Sequence, residues 1–185
     1  MNGFIHFVLG GSRSGKSRRA ESLAKASGQI VAYIATYAAD PTDEEMRGRV
    51  QRHQQQRPAD WLTIENRFDL GNLVRENRDV LFLLDCLTLW LSFSLTQGRS
   101  SEQILKELKE TLLLIRELER SFVIVSNEVG SGIVPLGAET REFRDLCGSA
   151  NQLVAAGATT VELMVAGLPL VLKGASRAFF GPEDL

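Results

Sequence analysis

The eight residues "GGSRSGKS" at positions 10–17 constrain the fold of this chain more than any other stretch. They fit the pattern G-x-x-x-x-G-K-[ST], in which glycines let backbone N–H groups surround a phosphate, the lysine reaches the outer phosphates and the hydroxyl holds Mg²⁺. An apolar run precedes them and a helical pattern follows, so the helix would present its positive N-terminus to the phosphate. The alternative is a glycine-rich turn that binds nothing. The predicted phosphate-binding residues are Gly10, Gly11, Ser12, Arg13, Ser14, Gly15, Lys16 and Ser17.

Short β-rich runs alternate with helical patterns along the chain. This alternation is typical of a parallel α/β sheet covered by helices on both faces. The predicted strands cover residues 4–10, 29–35, 79–85, 121–127, 160–166 and 169–173. Because the last run follows "GLP" so closely, it is expected to form an antiparallel hairpin at one edge of the sheet.

Three helices besides the one after the phosphate loop are predicted from periodicity and capping. Ser100 and Gln103 form a capping box before an apolar stripe made of Ile104, Leu105, Leu108, Leu112 and Ile115. A second helix is predicted over residues 140–157, although Gly148 weakens the prediction. Its inward face would carry Phe143, Leu146, Ala150, Leu153 and Val154. The third covers residues 44–57, since acids crowd its first turn and Pro58 ends it.

Length and composition favour one compact domain spanning residues 1–185. The formal net charge of -2 argues against a basic nucleic-acid-binding surface, so small partners are expected. Cys86 and Cys147 lie far apart without metal-ligand spacing, which fits reduced structural thiols and a cytoplasmic location. The first apolar run is too short to span a membrane and lacks the features of a signal peptide.

Asp85 closes the apolar run "VLFLLD" and is the predicted acidic partner of the phosphate loop. In such enzymes an acid at the end of a neighbouring strand joins the loop hydroxyl in the magnesium shell, which predicts an Mg²⁺ site at Ser17 and Asp85. A helix N-cap or a turn is the other interpretation of Asp85. Arg13 is expected to contact phosphate because it lies inside the loop, whereas His6 is expected to be a packed core residue.

One of the two histidines, His53, lies between arginines. On the predicted helix Arg49, His53 and Arg57 are spaced four residues apart and share one face. The two guanidiniums disfavour the imidazolium form and could hold a polyphosphate against a neutral ring, which can then act as a nucleophile. From spacing alone, a solvent-exposed histidine on a charged helix remains the favoured interpretation.

Several longer stretches resemble one family over nearly the entire chain. They are "GGSRSGKS", "DEEMRGRVQRHQQQRPADWLTIE", "DCLTLWL", "VSNEVGSGIVP", "REFRDLCGSANQ" and "VAGLPLVLK". Together they resemble the bifunctional adenosylcobinamide kinase/adenosylcobinamide-phosphate guanylyltransferase family of cobalamin biosynthesis. The phosphate loop alone would identify only a superfamily, so the histidine and "SNEVGSGIVP" elements carry the specificity. The resemblance implies a P-loop NTPase fold with a RecA-like, mostly parallel sheet and an assembly into homotrimers.

The resemblance also implies the two reactions and the residues that perform them. Adenosylcobinamide is phosphorylated with ATP or GTP, and GMP is then transferred from GTP onto the new phosphate, giving adenosylcobinamide-GDP and pyrophosphate. The transfer passes through GMP bound to a histidine, which matches His53, while Lys16 serves the kinase step. Residues matching the family's GTP contacts are Thr36, Tyr37, Ala38, Gln54, Gln55, Gln56, Arg57, Glu65 and Asp85.

Two rival functions and two departures from the family pattern accompany this interpretation. The rivals are a small-metabolite kinase in which His53 only binds phosphate, and a nucleotide-regulated switch that changes partners. Family members often have Asn at the position of Phe93 and an Ala-Asp pair at Thr159 and Thr160. These departures concern local packing or subunit contacts, since they touch neither the phosphate loop nor the histidine segment.

Overall fold

A computed structural model describes residues 3–36, 58–77 and 79–175. Seven strands form one sheet in the order β3-β2-β4-β5-β1-β6-β7. The strands are β1 Ile5–Gly10, β2 Val31–Ala35, β3 Leu62–Glu65, β4 Leu81–Asp85, β5 Ser121–Asn127, β6 Thr160–Val165 and β7 Leu168–Lys173. The helices are α1 Lys16–Ala26, α2 Leu70–Glu76, α3 Leu87–Thr96, α4 Ser101–Glu117 and α5 Ala138–Gly157.

The sheet confirms the predicted fold class. Neighbouring strands from β3 to β6 pair in parallel, and β7 returns antiparallel to β6 at one edge. The strand β5 separates β1, which leads into the phosphate loop, from β4, which ends at Asp85. This is the RecA-like order expected from the family resemblance. All six predicted strands are present to within two residues at their ends.

Helices cover both faces of the sheet because alternate residues of the central strands point to opposite sides. On one side, strand residues including Phe7, Ile34, Phe82 and Phe122 pack against the apolar faces of α2, α3, α4 and α5. On the other, Val8, Leu83 and Val123 pack against the apolar face of α1, made of Ala20, Leu23 and Ala24. The sheet is therefore rigidly held between two cores, and its carboxyl edge can position catalytic groups.

The helix predictions are confirmed where the structure describes them. The Ser100 side chain accepts from Gln103 N and the Gln103 side chain accepts from Ser100 N, which completes the capping box of α4. The predicted helix at 140–157 is α5, which begins two residues earlier. The predicted helix over residues 44–57 lies outside the described residues. No helix in the described part of the chain is long and apolar enough to cross a membrane.

Candidate active site

The phosphate loop occupies the tight turn between β1 and α1, and two of its glycines are sterically required. A Cβ at Gly10 would lie 2.4 Å from Ser14 Oγ and 2.9 Å from Met164 O. Gly15 has φ of 92°, in the left-handed region, and a Cβ there would meet Gly167 Cα at 3.3 Å. The loop is fixed from the β6–β7 turn, because Gly167 N donates to Ser14 O at 3.0 Å. The motif glycines therefore permit a backbone path that other residues would disturb.

Lys16 begins α1 and lies against its own loop. Its ammonium donates to Gly11 O at 3.1 Å and is half-buried. Burial lowers the pKa of Lys16 below its usual value, while the neighbouring Cys86 and Asp85 counteract part of this effect. The lysine is thus a partly desolvated cation at the position where the motif places the outer phosphates of a nucleotide.

Ser17 and Asp85 come together from distant parts of the chain, as the sequence predicts for the magnesium partners. Ser17 Oγ donates to Asp85 Oδ1 at 3.5 Å, and the Tyr33 hydroxyl donates to Asp85 Oδ2 at 3.0 Å. The Asp85 side chain makes no cap hydrogen bond, since Cys86 occupies the N-cap position of α3. Mg²⁺ typically takes one or two protein oxygens and completes its shell with phosphate oxygens and water. The donor set of Ser17 and Asp85 fits that ion.

Thr36 holds the carboxyl ends of β2 and β4 together. Its hydroxyl accepts from Cys86 N at 2.8 Å and donates to Cys86 O at 2.7 Å, in a buried position. The Thr36 hydroxyl thus joins the ends of the two strands through the backbone of Cys86. The Cys86 thiol beside it has a pKa raised to about 11, chiefly by burial, and therefore stays protonated. This agrees with the expectation of a structural cysteine.

Polar side chains at the end of β5 form a network whose hydrogen-bond partners were not predicted from the sequence. The hydroxyls of Thr88 and Ser126 lie 3.2 Å apart, and Thr88 Oγ1 accepts from Asn127 N at 2.9 Å. Asn151 Nδ2 donates to Asn127 O at 3.2 Å, so α5 is tied to the same point. The available signal was the run of Ser and Asn closing a buried strand, which marks a carboxyl edge. Glu128 follows directly, and its N–H donates to Gly10 O at 3.1 Å.

A buried ion pair anchors the helix that carries Lys16 and Ser17. Arg19 donates from Nε and Nη2 to the two carboxylate oxygens of Glu162, each at 2.8 Å, and both side chains are fully buried. His6 Nε2 lies 3.4 Å from Glu162 Oε1, so His6 is a buried core residue as expected. Its carboxylate neighbour could not be seen in the sequence, because Glu162 comes from a strand more than 150 residues away. The ion pair links α1 to β6.

Of the remaining predicted site residues, the structure describes Glu65 and Arg13, and the others lie outside the described residues. Glu65 ends β3 and is exposed, and it shares the register of Ala35, which also pairs with Asp85. Arg13 is exposed within the phosphate loop, beside Ser12. The predicted nucleophile His53 lies outside the described residues, as do Tyr37, Ala38, Gln54, Gln55, Gln56 and Arg57. The structure therefore brings together the kinase half of the predicted site.

Comparisons with known proteins identify the family of this chain. Residues 6–172 match the family described as cobinamide kinase / cobinamide phosphate guanyltransferase. The bifunctional adenosylcobalamin biosynthesis protein CobP of Pseudomonas aeruginosa is 42% identical over 169 residues, covering 90% of this chain and 96% of the relative. Its counterpart CobU of Escherichia coli is 36% identical over 180 residues, covering 90% and 98%.

Among solved structures, a KaiC-like protein from Pyrococcus horikoshii superposes with a TM-score of 0.48 at 10% identity, covering 88% of this chain and 71% of its own. The family match and the two relatives each extend over most of the chain. The chain therefore belongs to the cobinamide kinase / cobinamide phosphate guanyltransferase family.

Proposed function

We propose that this protein phosphorylates adenosylcobinamide with ATP or GTP and then transfers GMP from GTP onto the new phosphate. The products are adenosylcobinamide-GDP and pyrophosphate, in the biosynthesis of adenosylcobalamin. The observation that carries the proposal is the meeting of Lys16, Ser17 and Asp85 at the carboxyl edge of the sheet in a chain of this family. In open α/β sheets, ligands bind at that edge.

In the kinase step, the acceptor hydroxyl attacks the γ-phosphorus, and the bond to the β–γ bridging oxygen breaks. Loop N–H groups and Lys16 bind the phosphates and stabilise the charge on the transferring group. Mg²⁺, held by Ser17 and Asp85, would neutralise charge on the β- and γ-phosphates. The partly buried position of Lys16 strengthens its attraction for phosphate, because few waters screen it.

In the guanylyl transfer, His53 is the proposed nucleophile. An imidazole nitrogen bonds to the α-phosphorus of GTP, the bond from that phosphorus to the bridging oxygen breaks, and pyrophosphate leaves. The phosphate of adenosylcobinamide phosphate then attacks the same phosphorus and the P–N bond breaks. A covalent intermediate of this kind gives ping-pong kinetics. The family resemblance supports this assignment, and Thr36, Glu65 and the segment from Gln54 to Arg57 are proposed to surround the GTP.

The assembly and location are also proposals. Family resemblance supports a homotrimer, and the buried reduced thiols Cys86 and Cys147 are consistent with cytoplasm. The acidic balance of the chain favours small-molecule partners over nucleic acid.

The experiment that tests the function supplies each substrate separately. Purified protein with adenosylcobinamide, ATP and Mg²⁺ is expected to form adenosylcobinamide phosphate, and with adenosylcobinamide phosphate and GTP it is expected to form adenosylcobinamide-GDP. Chromatography with mass detection follows both products. The matched control is the exposed-site variant Arg116→Ala on α4, which should retain both activities. A protein that makes neither product contradicts the proposal, and one that makes only the first product is a single-activity kinase.

A further inference from the structure

Glu128 lies at the carboxyl edge of the sheet, between the strand that leads into the phosphate loop and the strand that ends at Asp85. It is the first residue after β5. Asn127 pairs with Gly10 in the register of β5 and β1, and Glu128 N donates to Gly10 O at 3.1 Å. The backbone of Glu128 is therefore attached to the first residue of the phosphate loop.

The other carboxylates at or near this part of the sheet have different tasks. Both oxygens of Asp85 accept hydrogen bonds, from Ser17 and Tyr33. Glu65 lies on β3, four strands from β1, which at about 4.8 Å per strand is about 19 Å away. Glu162 is fully buried against Arg19. Among the strand ends that the structure describes, Glu128 is the carboxylate beside the phosphate loop that remains available.

The Glu128 side chain is held in place by neutral donors. Its Oε1 accepts from Gly130 N at 2.7 Å and lies 3.5 Å from Ser131 Oγ. Within residues 3–36, 58–77 and 79–175, no ion pair to Glu128 is formed. A carboxylate fixed by neutral donors through one oxygen keeps lone pairs on the other, and can therefore accept a proton from a substrate.

We propose that Glu128 is the general base of the kinase step. The inference rests on the proposed function, and it names the residue that accepts the proton released from the acceptor hydroxyl in the kinase step. As the acceptor hydroxyl oxygen bonds to the γ-phosphorus, the hydroxyl proton passes to the Glu128 carboxylate, and the electrons of the broken bridging bond pass to the nucleoside diphosphate. Solvent then removes the proton from Glu128. The guanylyl transfer needs no such base, because its acceptor is a phosphate that is already ionised at neutral pH.

The two reactions give the test an internal control. Glu128→Gln keeps the size and the acceptor oxygen of the side chain but removes its basicity. A positioned base contributes about 10²–10⁴-fold in rate, so the kinase kcat is expected to fall at least about 100-fold with an unchanged KM for ATP. The rate of guanylyl transfer to pre-formed adenosylcobinamide phosphate is expected to stay at the wild-type level. Glu139→Gln, at an exposed glutamate in the first turn of α5, should change neither rate.

The outcomes separate this inference from the function on which it rests. Glu128→Gln with wild-type kinase activity overturns the inference, as does an equal loss of both activities, which would indicate a role in shaping the phosphate loop. Glu128→Asp keeps a carboxylate, so recovery of part of the kinase rate supports the inference and distinguishes basicity from packing. Wild-type protein that forms no adenosylcobinamide phosphate would contradict the proposed function itself, and the inference with it.

Discussion

At the scale of single residues, the partly buried ammonium of Lys16 lowers the stability of the folded protein but provides the cation that binds phosphate. Burial lowers the pKa of its ammonium, which means that the folded protein disfavours the charged form relative to the unfolded chain. Between the lowered pKa of the folded protein and the ordinary pKa of 10.5, the unfolded chain binds more protons than the folded protein. The destabilising effect of Lys16 therefore becomes smaller as the pH rises through this range. The cost is present at neutral pH, where the cation is needed for phosphate.

Lys16→Met is therefore expected to raise the melting temperature of the nucleotide-free protein at pH 7, and by less at pH 9.5. It should also abolish stabilisation by nucleotide. Wild-type protein with GTP at a hundredfold excess over Kd gains about 2.7 kcal/mol, or about 5–11 °C for a chain of this size. Thermal unfolding with and without MgGTP measures both effects. A variant that melts lower without nucleotide, or still responds fully to GTP, would contradict this account of Lys16.

Local sequence predicted these residues because the motif itself specifies the chemistry. Gly10, Lys16 and Ser17 are adjacent in the chain, and Asp85 was visible as an acid closing an apolar strand. The partners of these residues were not predictable in the same way. Tyr33 reaches Asp85 across 52 residues, and only the order of strands brings the two together. Contacts of that kind leave no periodic trace in the sequence.

At the scale of elements, α1 is tied to the sheet by the buried Arg19–Glu162 pair, three residues after Lys16. Glu162→Gln would leave a guanidinium buried without its counter-charge, which typically costs about 3–5 kcal/mol. Replacing both residues by leucine should be less harmful, because no charge is then buried. Urea unfolding of the two variants measures the difference.

An exposed pair provides the control for that comparison. Arg67 donates to Glu76 at 2.7 Å on the surface, where solvent weakens such interactions. Glu76→Gln should change the free energy of unfolding much less than Glu162→Gln. Equal effects of the two substitutions would show that the buried pair does not anchor α1.

Three described elements were not predicted from the sequence, namely β3, α2 and α3, and β3 and α3 were missed for opposite reasons. The strand β3 has four residues, "LTIE", three of which are exposed, so its apolar signal is weak. The helix α3, "LTLWLSFSLT", has a strong apolar signal instead, but its apolar and polar residues nearly alternate, which is the period of a strand and not of a helix. Its Trp90 is fully buried and donates from Nε1 to Phe68 O at 2.7 Å. Tertiary packing, rather than local pattern, defines both elements.

At the scale of the whole molecule, the edge strand β7 presents apolar side chains to the outside. Leu168, Leu170 and Leu172 share one face of the strand and are 70%, 56% and 56% exposed. An exposed apolar edge strand usually pairs or is covered in the assembled protein. Sequence pattern predicted the hairpin, but the exposure of β7 and the order of the sheet depend on the complete fold.

We expect β7 to contribute to the contact between copies in the proposed homotrimer. The double variant Leu170→Lys/Leu172→Lys should lower the mass measured by sedimentation from three times the 20.4 kDa of one chain to a single chain. Leu113→Lys removes a comparably exposed leucine from α4 and should leave the assembly intact. Wild-type protein that sediments as a monomer would contradict the prediction, and an unchanged mass of the double variant would place the contact elsewhere.

The central claim is that this chain both binds GTP at its phosphate loop and captures the guanylyl group on His53. The most direct measurement incubates the purified protein with Mg²⁺ and GTP labelled at the α-phosphate, followed by denaturation and peptide mapping. The account predicts an acid-labile label on His53 in the wild-type protein, none with GTP labelled at the γ-phosphate, and none in His53→Ala although that variant still binds GTP. Wild-type protein without label, or a label that persists in His53→Ala, would contradict it.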